Sequence, residues 1–318
     1  MLLVQFNREL VLRCNELFHD LEGEGYEDVH PEIFERETLR WQRTLENFLP
    51  KIQGDVSALD IGAGTGFVGK LLLPMLSNGA TFTAADVSTT MLKVCQVNLA
   101  ALRTPVHVQV QKITDESLPF PDESFNLITM NSVLHHVPNP TALLQEIIRV
   151  LAPGGIVMIG HEPNALFFRS RFLFLHARFI HHCTWKRLAA LLLKALGLYQ
   201  CIVPAEQKSS HILPRINQTL IAEGLIKNPL TAQELSALVD IHSPTAGGLR
   251  AEEGFDATTL FNAWIPPMRI LRRTTYNHLL KMSGRWRVMA PYERFLEQFL
   301  PNHGSSFFLV AEKAHHSC

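Results

Sequence analysis

Three glycines at alternate positions follow a short apolar run that contains an acid. The run 56–61 includes Asp60, and Gly62, Gly64 and Gly66 come directly after it, before a helical pattern begins. Glycine permits positive φ and lets a ligand approach the bare backbone. The start of a helix offers unpaired N–H groups and the positive end of a dipole. The stretch therefore predicts a strand, a tight turn and a helix that together cradle a nucleotide-like ligand.

Two kinds of nucleotide ligand fit such a turn. The stretch contains the frame of a dinucleotide-binding fingerprint, Gly64-x-Gly66-x-x-Gly69. Asp86 lies about 20 residues after Gly66, where the fingerprint has its acidic residue. However, the first glycine after the strand is Gly62, so the frame is displaced. Asp60 stands just before the turn, where it would repel a pyrophosphate. A ligand with a cationic portion and no phosphate suits this turn better.

Strand and helix patterns alternate around the turn. Apolar runs predict strands at 56–61, 81–85, 106–110, 125–130 and 155–160, and later at 268–276 and 305–312. Helical patterns lie between the first five, at 65–77, 88–102 and 140–151. This alternation predicts a parallel sheet with helices on both faces and a ligand crevice at the carboxyl ends of the strands.

Five segments, in this order, resemble the motifs of the class I S-adenosylmethionine-dependent methyltransferases. They are Asp60–Gly66 (DIGAGTG), Asp86–Leu92 (DVSTTML), Leu118–Ile128 (LPFPDESFNLI), Val133–Val137 (VLHHV) and Glu146–Gly155 (EIIRVLAPGG). The resemblance covers about a third of the chain. It implies a doubly wound, Rossmann-like α/β fold with a seven-stranded sheet, mostly parallel with the last strand antiparallel. It also implies S-adenosylmethionine as the cofactor and S-adenosylhomocysteine as its product.

The resemblance assigns roles to the residues of the turn. Gly62, Gly64 and Gly66 would pass under the methionyl and ribose portions of the cofactor. Asp60 would hold the turn and favour the ammonium end, directly or through water. Asp86 would accept hydrogen bonds from both ribose hydroxyls, since a carboxylate has enough lone pairs to face a vicinal diol.

The adenine end of the cofactor is less well matched. By resemblance, Val87 and Met91 would pack on the adenine, and Asn131 would offer backbone contacts to the methionyl group. The family often has an acid where this chain has Thr114, with Asp115 one residue later. Either Asp115 binds the adenine amino group after a one-residue shift, or Thr114 does so with its hydroxyl.

Methyl transfer from a sulfonium is an in-line displacement, so the protein mainly aligns the acceptor and excludes water. A base is needed only for an acceptor that carries a proton of high pKa. His161 and Glu162, directly after the fifth strand, are candidates for contact with the acceptor. His136 is a third candidate, although the His135-His136 pair is typical of the family, which favours a structural or cofactor-shaping role.

The regions outside the resemblance divide the chain into four parts. We expect an N-terminal helical segment at 1–50, a cofactor-binding core at 51–162, a helical insertion at 163–254 and the rest of the core at 255–318. Further helices are predicted at 213–225, 231–240, 257–264 and 279–301. The first and third parts would close over the acceptor. The insertion is rich in Phe and Leu, which favours a small but bulky apolar acceptor such as a polyketide, a quinone or a lipid-like molecule.

Residues 165–200 combine apolar and basic side chains, and no Asp or Glu occurs between Glu162 and Glu206. A cap over the active site is the expected role. A face that docks on a membrane surface or a partner, and a site for an anionic substrate, are the alternatives. The adjacent side chains of His181, His182 and Cys183 point in different directions on a helix, so no metal site is expected.

Composition excludes several other classes. The net charge of −1 gives no electrostatic footprint for nucleic acid. Five scattered cysteines without a CxxC pair favour neither a disulfide framework nor zinc, and indicate a reducing, cytoplasmic setting. Neither a signal peptide nor a spanning helix is expected. Two competing functions remain: a cofactor-binding protein of this fold without methyl transfer, and, disfavoured by Asp60, a nicotinamide-dependent oxidoreductase.

Overall fold

A computed structural model describes residues 7–23, 31–182, 212–243, 254–257, 259–260, 268–279 and 286–315. Seven strands form one sheet: β1 (Ser57–Ile61), β2 (Thr81–Asp86), β3 (His107–Lys112), β4 (Phe125–Asn131), β5 (Leu151–Pro163), β6 (Met268–Tyr276) and β7 (Ser306–Lys313). Their order is β3-β2-β1-β4-β5-β7-β6. β7 pairs antiparallel with both neighbours, and the other six strands run in one direction. This confirms the predicted Rossmann-like sheet with its antiparallel last strand.

The described helices are α1 (Arg8–Glu22), α2 (Pro31–Phe48), α3 (Phe67–Leu72), α4 (Thr89–Ala100), α5 (Pro140–Val150), α6 (Ala165–Arg169), α7 (Arg171–His182), α8 (Ile212–Ala222), α9 (Ala232–Val239) and α10 (Trp286–Phe299). Short 3₁₀ turns occupy Leu49–Lys51, Leu73–Met75 and Leu134–His136. The prediction of a helix at 257–264 is wrong for the residues described there, which form turns. The rest of that segment, and the part of the predicted 165–200 helix beyond α7, lie outside the described residues.

Both faces of the sheet are buried over its five inner strands, because successive residues alternate between two apolar cores, whereas the edge strands β3 and β6 are largely exposed. In β1, Leu59 and Ile61 pack with the apolar side of α5, while Ala58 faces the opposite core. That second core includes Trp41 and Leu45 of α2 together with residues of α3 and α4. Burial on both sides explains why the inner strands are mostly apolar in sequence.

Helix α1 packs on α8 and α9 in a separate apolar core. Val11 and Cys14 of α1 lie against Ile216 of α8 and Leu238 of α9. Polar contacts fix α1 across the strand ends: Asp20 accepts hydrogen bonds from Ser88 Oγ at 2.6 Å and from Thr90 N at 3.0 Å. Arg8, at the other end, pairs with Glu116 in the segment after β3. The N-terminal helix therefore lies over the carboxyl ends of β2 and β3.

A buried ionic cluster joins α2 to β5 and β6. Glu37, on α2, lies 3.1 Å from Nδ1 of His161 and accepts hydrogen bonds from Arg40 at 2.9 Å and from the Tyr276 hydroxyl at 3.0 Å. The same hydroxyl accepts a hydrogen bond from His161 N at 3.0 Å. Burial acts to raise the pKa of Glu37, but His161 and Arg40 outweigh it and bring the pKa to about 2. The ionised carboxylate thus stabilises the native state.

Replacing Glu37 with Gln should destabilise the fold by about 3 kcal/mol near neutral pH, because it breaks a buried charge pair. A carboxyl group whose pKa is lowered by folding stabilises the native state at pH values above its ordinary pKa of 4.5. That contribution is lost as the pH falls towards 2. The difference between variant and parent should therefore shrink below pH 4.5, as measured by denaturant unfolding over a pH series. Glu46→Gln, at an exposed position of the same helix, is the matched control. If Glu37→Gln lowered the free energy of unfolding by the same amount at all pH values, this account would be contradicted.

Candidate active site

A cavity opens where the carboxyl ends of β1, β2, β3 and β4 meet. The strand ends contribute the glycine turn, Asp86 with Val87, Ile113 with Asp115, and the segment from Asn131 to Val133. The far wall comes from the segment between His136 and Leu143 and from α1. Its position matches the crevice expected for an open α/β sheet.

The three glycines of the turn do different work. All have positive φ, at 64° for Gly62, 54° for Gly64 and 90° for Gly66. A Cβ on Gly62 would lie 2.3 Å from Val133 Cγ2, so the close approach to the next loop requires glycine. Gly64 lines the cavity and has open space where a side chain would be. Gly66 caps α3 away from the cavity lining, where a Cβ would lie 3.1 Å from Cys95 Sγ, so it permits α3 to pack on α4.

Asp86 ends β2 on the cavity wall and is fixed by two backbone donors. Its Oδ2 accepts a hydrogen bond from Gly64 N at 2.8 Å, and its Oδ1 accepts one from Ser88 N at 2.9 Å. Burial raises the pKa of Asp86, and these two donors act against that rise. Since a carboxylate offers about four acceptor positions, about two remain for ligand hydroxyls. Val87 and Met91 lie beside it on the same wall.

Asp60 lies buried behind the glycine turn, outside the cavity lining. Its Oδ1 accepts a hydrogen bond from Thr129 Oγ1 at 2.7 Å, and its Oδ2 has no hydrogen-bond partner within the described part of the chain. Burial raises the pKa of Asp60 to about 7. A buried carboxylate oxygen without a donor fits a ligand with a cationic, hydrogen-bond-donating end, reached directly or through water. It does not fit a phosphate.

The structure separates the two candidates for the adenine contact. Asp115 lies on the cavity wall, whereas Thr114 is exposed and outside the lining. Glu116, which the sequence reasoning missed, also lines the cavity and accepts a hydrogen bond from Asn139 N at 2.8 Å. Asn131 lies on the wall too, and its Oδ1 accepts a hydrogen bond from Trp41 Nε1 at 2.8 Å.

The structure also separates the three candidates for catalysis. The His161 side chain faces the Glu37 cluster and is not part of the cavity lining. Glu162 is fully buried, and its carboxylate accepts hydrogen bonds from the backbone N–H groups of Val133 at 2.7 Å, Leu134 at 2.8 Å and His135 at 3.2 Å. It also lies 2.8 Å from Nδ1 of His135. Glu162 thus holds the loop that follows β4.

His136 is the candidate that lies on the cavity wall. Its Nδ1 lies 2.8 Å from the carbonyl oxygen of Val239 and 3.2 Å from Asp240 Oδ1. Both neighbours are acceptors, which assigns the proton of the neutral ring to Nδ1 and the lone pair to Nε2. Burial, followed by the charge of His135, lowers the pKa of His136. The imidazole is therefore neutral at neutral pH and able to accept a proton.

Two clusters of ligand-type side chains in the described part bear on the expectation that no metal binds: His135, His136 and Asp240, and His278, Glu293 and Glu297. The ligand atoms of His135, His136 and Asp240 lie within 4.8 Å of one another. In this arrangement Nδ1 of each histidine is already engaged, by Glu162 and by Val239 respectively. The side chains of 181–183 lie outside the described residues. The expectation stays a prediction.

The sequence predicted that the N-terminal segment 1–50 closes over the acceptor, but it indicated none of the α1 residues that line the cavity, since this helix lies outside the recognised motifs. Leu12, Asn15 and His19 line the cavity. Asn15 is 6% exposed and donates from Nδ2 to the carbonyls of Val11 and Leu238, while its Oδ1 has no hydrogen-bond partner among the described residues. The sequence feature that could have indicated Asn15 is a lone amide on the apolar side of an amphipathic helix. Asn15 Oδ1 is therefore an acceptor for a hydrogen-bond donor of a bound molecule.

The comparisons with known proteins agree with this geometry. Residues 59–159 match the model of a methyltransferase domain family. A ubiquinone/menaquinone biosynthesis C-methyltransferase of Serratia proteamaculans is 28% identical over 206 residues, which cover 64% of this chain and 68% of that protein. A ubiquinone biosynthesis O-methyltransferase of Pseudomonas fluorescens is 33% identical over 114 residues, or 35% of this chain and 47% of the relative.

A solved S-adenosylmethionine-dependent methyltransferase from Mesorhizobium loti also aligns with this chain. The alignment covers 85% of this chain and 96% of the other at 15% identity, with a TM-score of 0.43. The strand order described above, rather than this overlap, identifies the fold.

The neighbouring glycines provide a matched pair of substitutions. Each alanine places a side chain at positive φ, at a cost of about 1–2 kcal/mol. Gly64→Ala adds a methyl beside the cavity, so calorimetric titration should show at least about tenfold weaker binding of S-adenosylhomocysteine with only that modest loss of stability. Gly66→Ala adds steric contact with Cys95, so it should cost about 1–3 kcal/mol more in denaturant unfolding. If Gly64→Ala bound S-adenosylhomocysteine as tightly as the parent, the turn would not be part of the ligand site.

Proposed function

Because this chain is a class I S-adenosylmethionine-dependent methyltransferase, we propose that its acceptor is a small, bulky and apolar ring compound of the quinol type. The observation that carries the proposal is a cavity with carboxylates at the strand ends and, on the opposite wall, apolar side chains together with two polar ones, Asn15 and His136. Two relatives whose names refer to ubiquinone or menaquinone biosynthesis support it.

We assign the strand ends to the cofactor. Asp86 would accept hydrogen bonds from the ribose hydroxyls, with Gly64 leaving room above the turn. Asp60, behind the turn, would attract the ammonium end, and Asp115 would face the adenine amino group. When bound, S-adenosylmethionine supplies a methyl group that its sulfonium activates. The chain's task is then to align the acceptor and to exclude water.

The opposite wall suits an apolar ring. Leu12 of α1 lies there with Val137, Pro138 and Leu143, and these side chains offer apolar surface to the acceptor. Asn15 Oδ1 would accept a hydrogen bond from a ring hydroxyl, which orients the ring.

A hydroxylated ring becomes a better nucleophile when it loses its proton, and His136 is our proposed base. It lies on the same wall, it is neutral at neutral pH, and its Nε2 carries the lone pair. His161 and Glu162 keep positioning roles in this proposal. His161 belongs to the Glu37 cluster, and Glu162 holds the loop from which His136 projects.

The function is tested by transfer of labelled methyl from S-adenosylmethionine. We expect product with a hydroxylated benzoquinol or naphthoquinol bearing an alkyl chain, and much less with a charged acceptor of similar size such as a hydroxybenzoate. Titrations with S-adenosylhomocysteine and NADH accompany the assay. Binding of S-adenosylhomocysteine without transfer to any quinol would contradict the acceptor class while leaving the cofactor site intact.

Replacing His136 with Gln should lower kcat by about 10²-fold or more, the usual contribution of a positioned base, with unchanged affinity for S-adenosylhomocysteine. Since the pKa of His136 is lowered from 6.5, the acid limb of the parent's pH–rate profile should lie below pH 6.5 and disappear in the variant. His107→Gln, at an exposed position of β3, is the control and should behave as the parent. Retention of the acid limb in His136→Gln would exclude it as the base.

A further inference from the structure

An exposed aromatic face spans α7 and α10, away from the cavity. It consists of Phe172, Leu175 and Phe179 on α7 and of Phe295 and Phe299 on α10. Their exposed fractions are 76%, 63% and 65%, then 50% and 62%. Among the residues whose side chains are described, every exposed phenylalanine belongs to this face. Scattered exposed apolar residues need no explanation, but a contiguous group marks an interaction surface.

A chain of ring contacts shows that the aromatic face is continuous. Phe172 stacks on His176 with ring centroids 6.2 Å apart, and His176 meets Tyr292 of α10 at 5.9 Å. A hydrogen-bond contact of 3.0 Å between His176 Nε2 and the Tyr292 hydroxyl fixes the two helices together. From Tyr292 the contacts continue to Phe295 at 6.2 Å and from there to Phe299 at 4.5 Å. These contacts join Phe172 to Phe299 across both helices, and Leu175 and Phe179 follow Phe172 on the same side of α7 at helical spacing.

Basic side chains surround the aromatic face. Arg171 and Arg178 are exposed on α7, and Arg294 is exposed beside Phe295 on α10. Arg294 also lines a groove with exposed arginines of α2 and β6, namely Arg43, Arg272 and Arg273.

The acids in this region turn away from the aromatic face. α7 has no acidic residue. Glu293 of α10 accepts hydrogen bonds from the backbone of His278 and Leu279, and Glu297 lines the groove beside Arg40. Apolar rings edged by arginines, without acids between them, complement a surface that is apolar within and negatively charged at its boundary.

We propose that the aromatic face docks on an anionic lipid bilayer, with its phenylalanines in the headgroup boundary and its arginines on lipid phosphates. Amphipathic helices with Phe and Leu on one side and basic residues at its edges bind membranes in this way. Among the helices searched in the described part, none is long and apolar enough to span a membrane. The docking that we propose is interfacial. It is independent of the proposed acceptor, because the face is separate from the cavity.

Flotation of the full chain with lipid vesicles tests this. We expect binding to vesicles that contain phosphatidylglycerol, little binding to phosphatidylcholine alone, and release by salt, since the arginine contribution is screened. Phe172→Ser with Phe179→Ser should weaken binding by about tenfold or more. Arg171→Glu with Arg178→Glu should weaken it by at least about fivefold for each charge.

Val97→Ser and Arg215→Glu, at exposed positions on α4 and α8, are the matched controls and should bind vesicles as the parent does. Calorimetric titration with S-adenosylhomocysteine verifies that each variant is folded. Equal vesicle binding by parent and face variants would overturn the proposal. So would the absence of vesicle binding together with a dimer, seen by sedimentation velocity, that the phenylalanine variants dissociate.

Discussion

The hydrogen bond from Gly64 N to Asp86 Oδ2 joins the two strand ends on which the site depends. β1 and β2 pair in parallel up to Ile61 and Ala85, and the chain must then turn sharply without covering the carboxylate of Asp86. Gly64 achieves this with φ of 54° and no side chain, and the 2.8 Å hydrogen bond orients the carboxylate. The floor of the cavity thus depends on one backbone donor, Gly64 N, which follows β1 and bonds the carboxylate at the end of β2.

A second carboxylate organises the opposite side. Glu162, in the last part of β5, is fully buried and holds three successive N–H groups of the loop after β4. Val133 of that loop touches the glycine turn so closely that Gly62 can carry no Cβ, and His136 ends its 3₁₀ turn. The floor and the wall therefore meet at Gly62 and Val133, and Glu162 acts on the cavity through the loop.

The sequence was sufficient to predict the parts in which local pattern and global fold agree. The β1 run and its alternate glycines form a contiguous motif that Asp86 follows, and the alternation of strand and helix patterns was enough to predict a parallel sheet. The N-terminal segment was expected to cover the acceptor, but the α1 residues in the cavity wall could not be predicted. Asn15 reaches the cavity only when Val11 and Cys14 pack against residues some 200 positions away in α8 and α9. The same limit applied to His161 and Glu162. They are adjacent in the chain, yet the side chain of His161 belongs to the Glu37 cluster and that of Glu162 bonds the loop after β4. A positive φ of 60° at His161, a conformation rare for residues other than glycine, accompanies this divergence.

The charges around the cavity explain why a sulfonium cofactor suits a glycine turn that also resembles a dinucleotide site. Asp86, Asp115 and Glu116 line the cavity and Asp60 lies behind it. Arg8 neutralises part of this charge through Asp115 and Glu116, at the end remote from the turn. Near the turn, burial raises the pKa of Asp60 to about 7, and the negative charge of Asp86 adds to that rise. A pyrophosphate would add negative charge to carboxylates that already repel one another, whereas a cationic ligand removes the cost of ionising them. The identical backbone turn therefore selects its ligand through the two acids beside it.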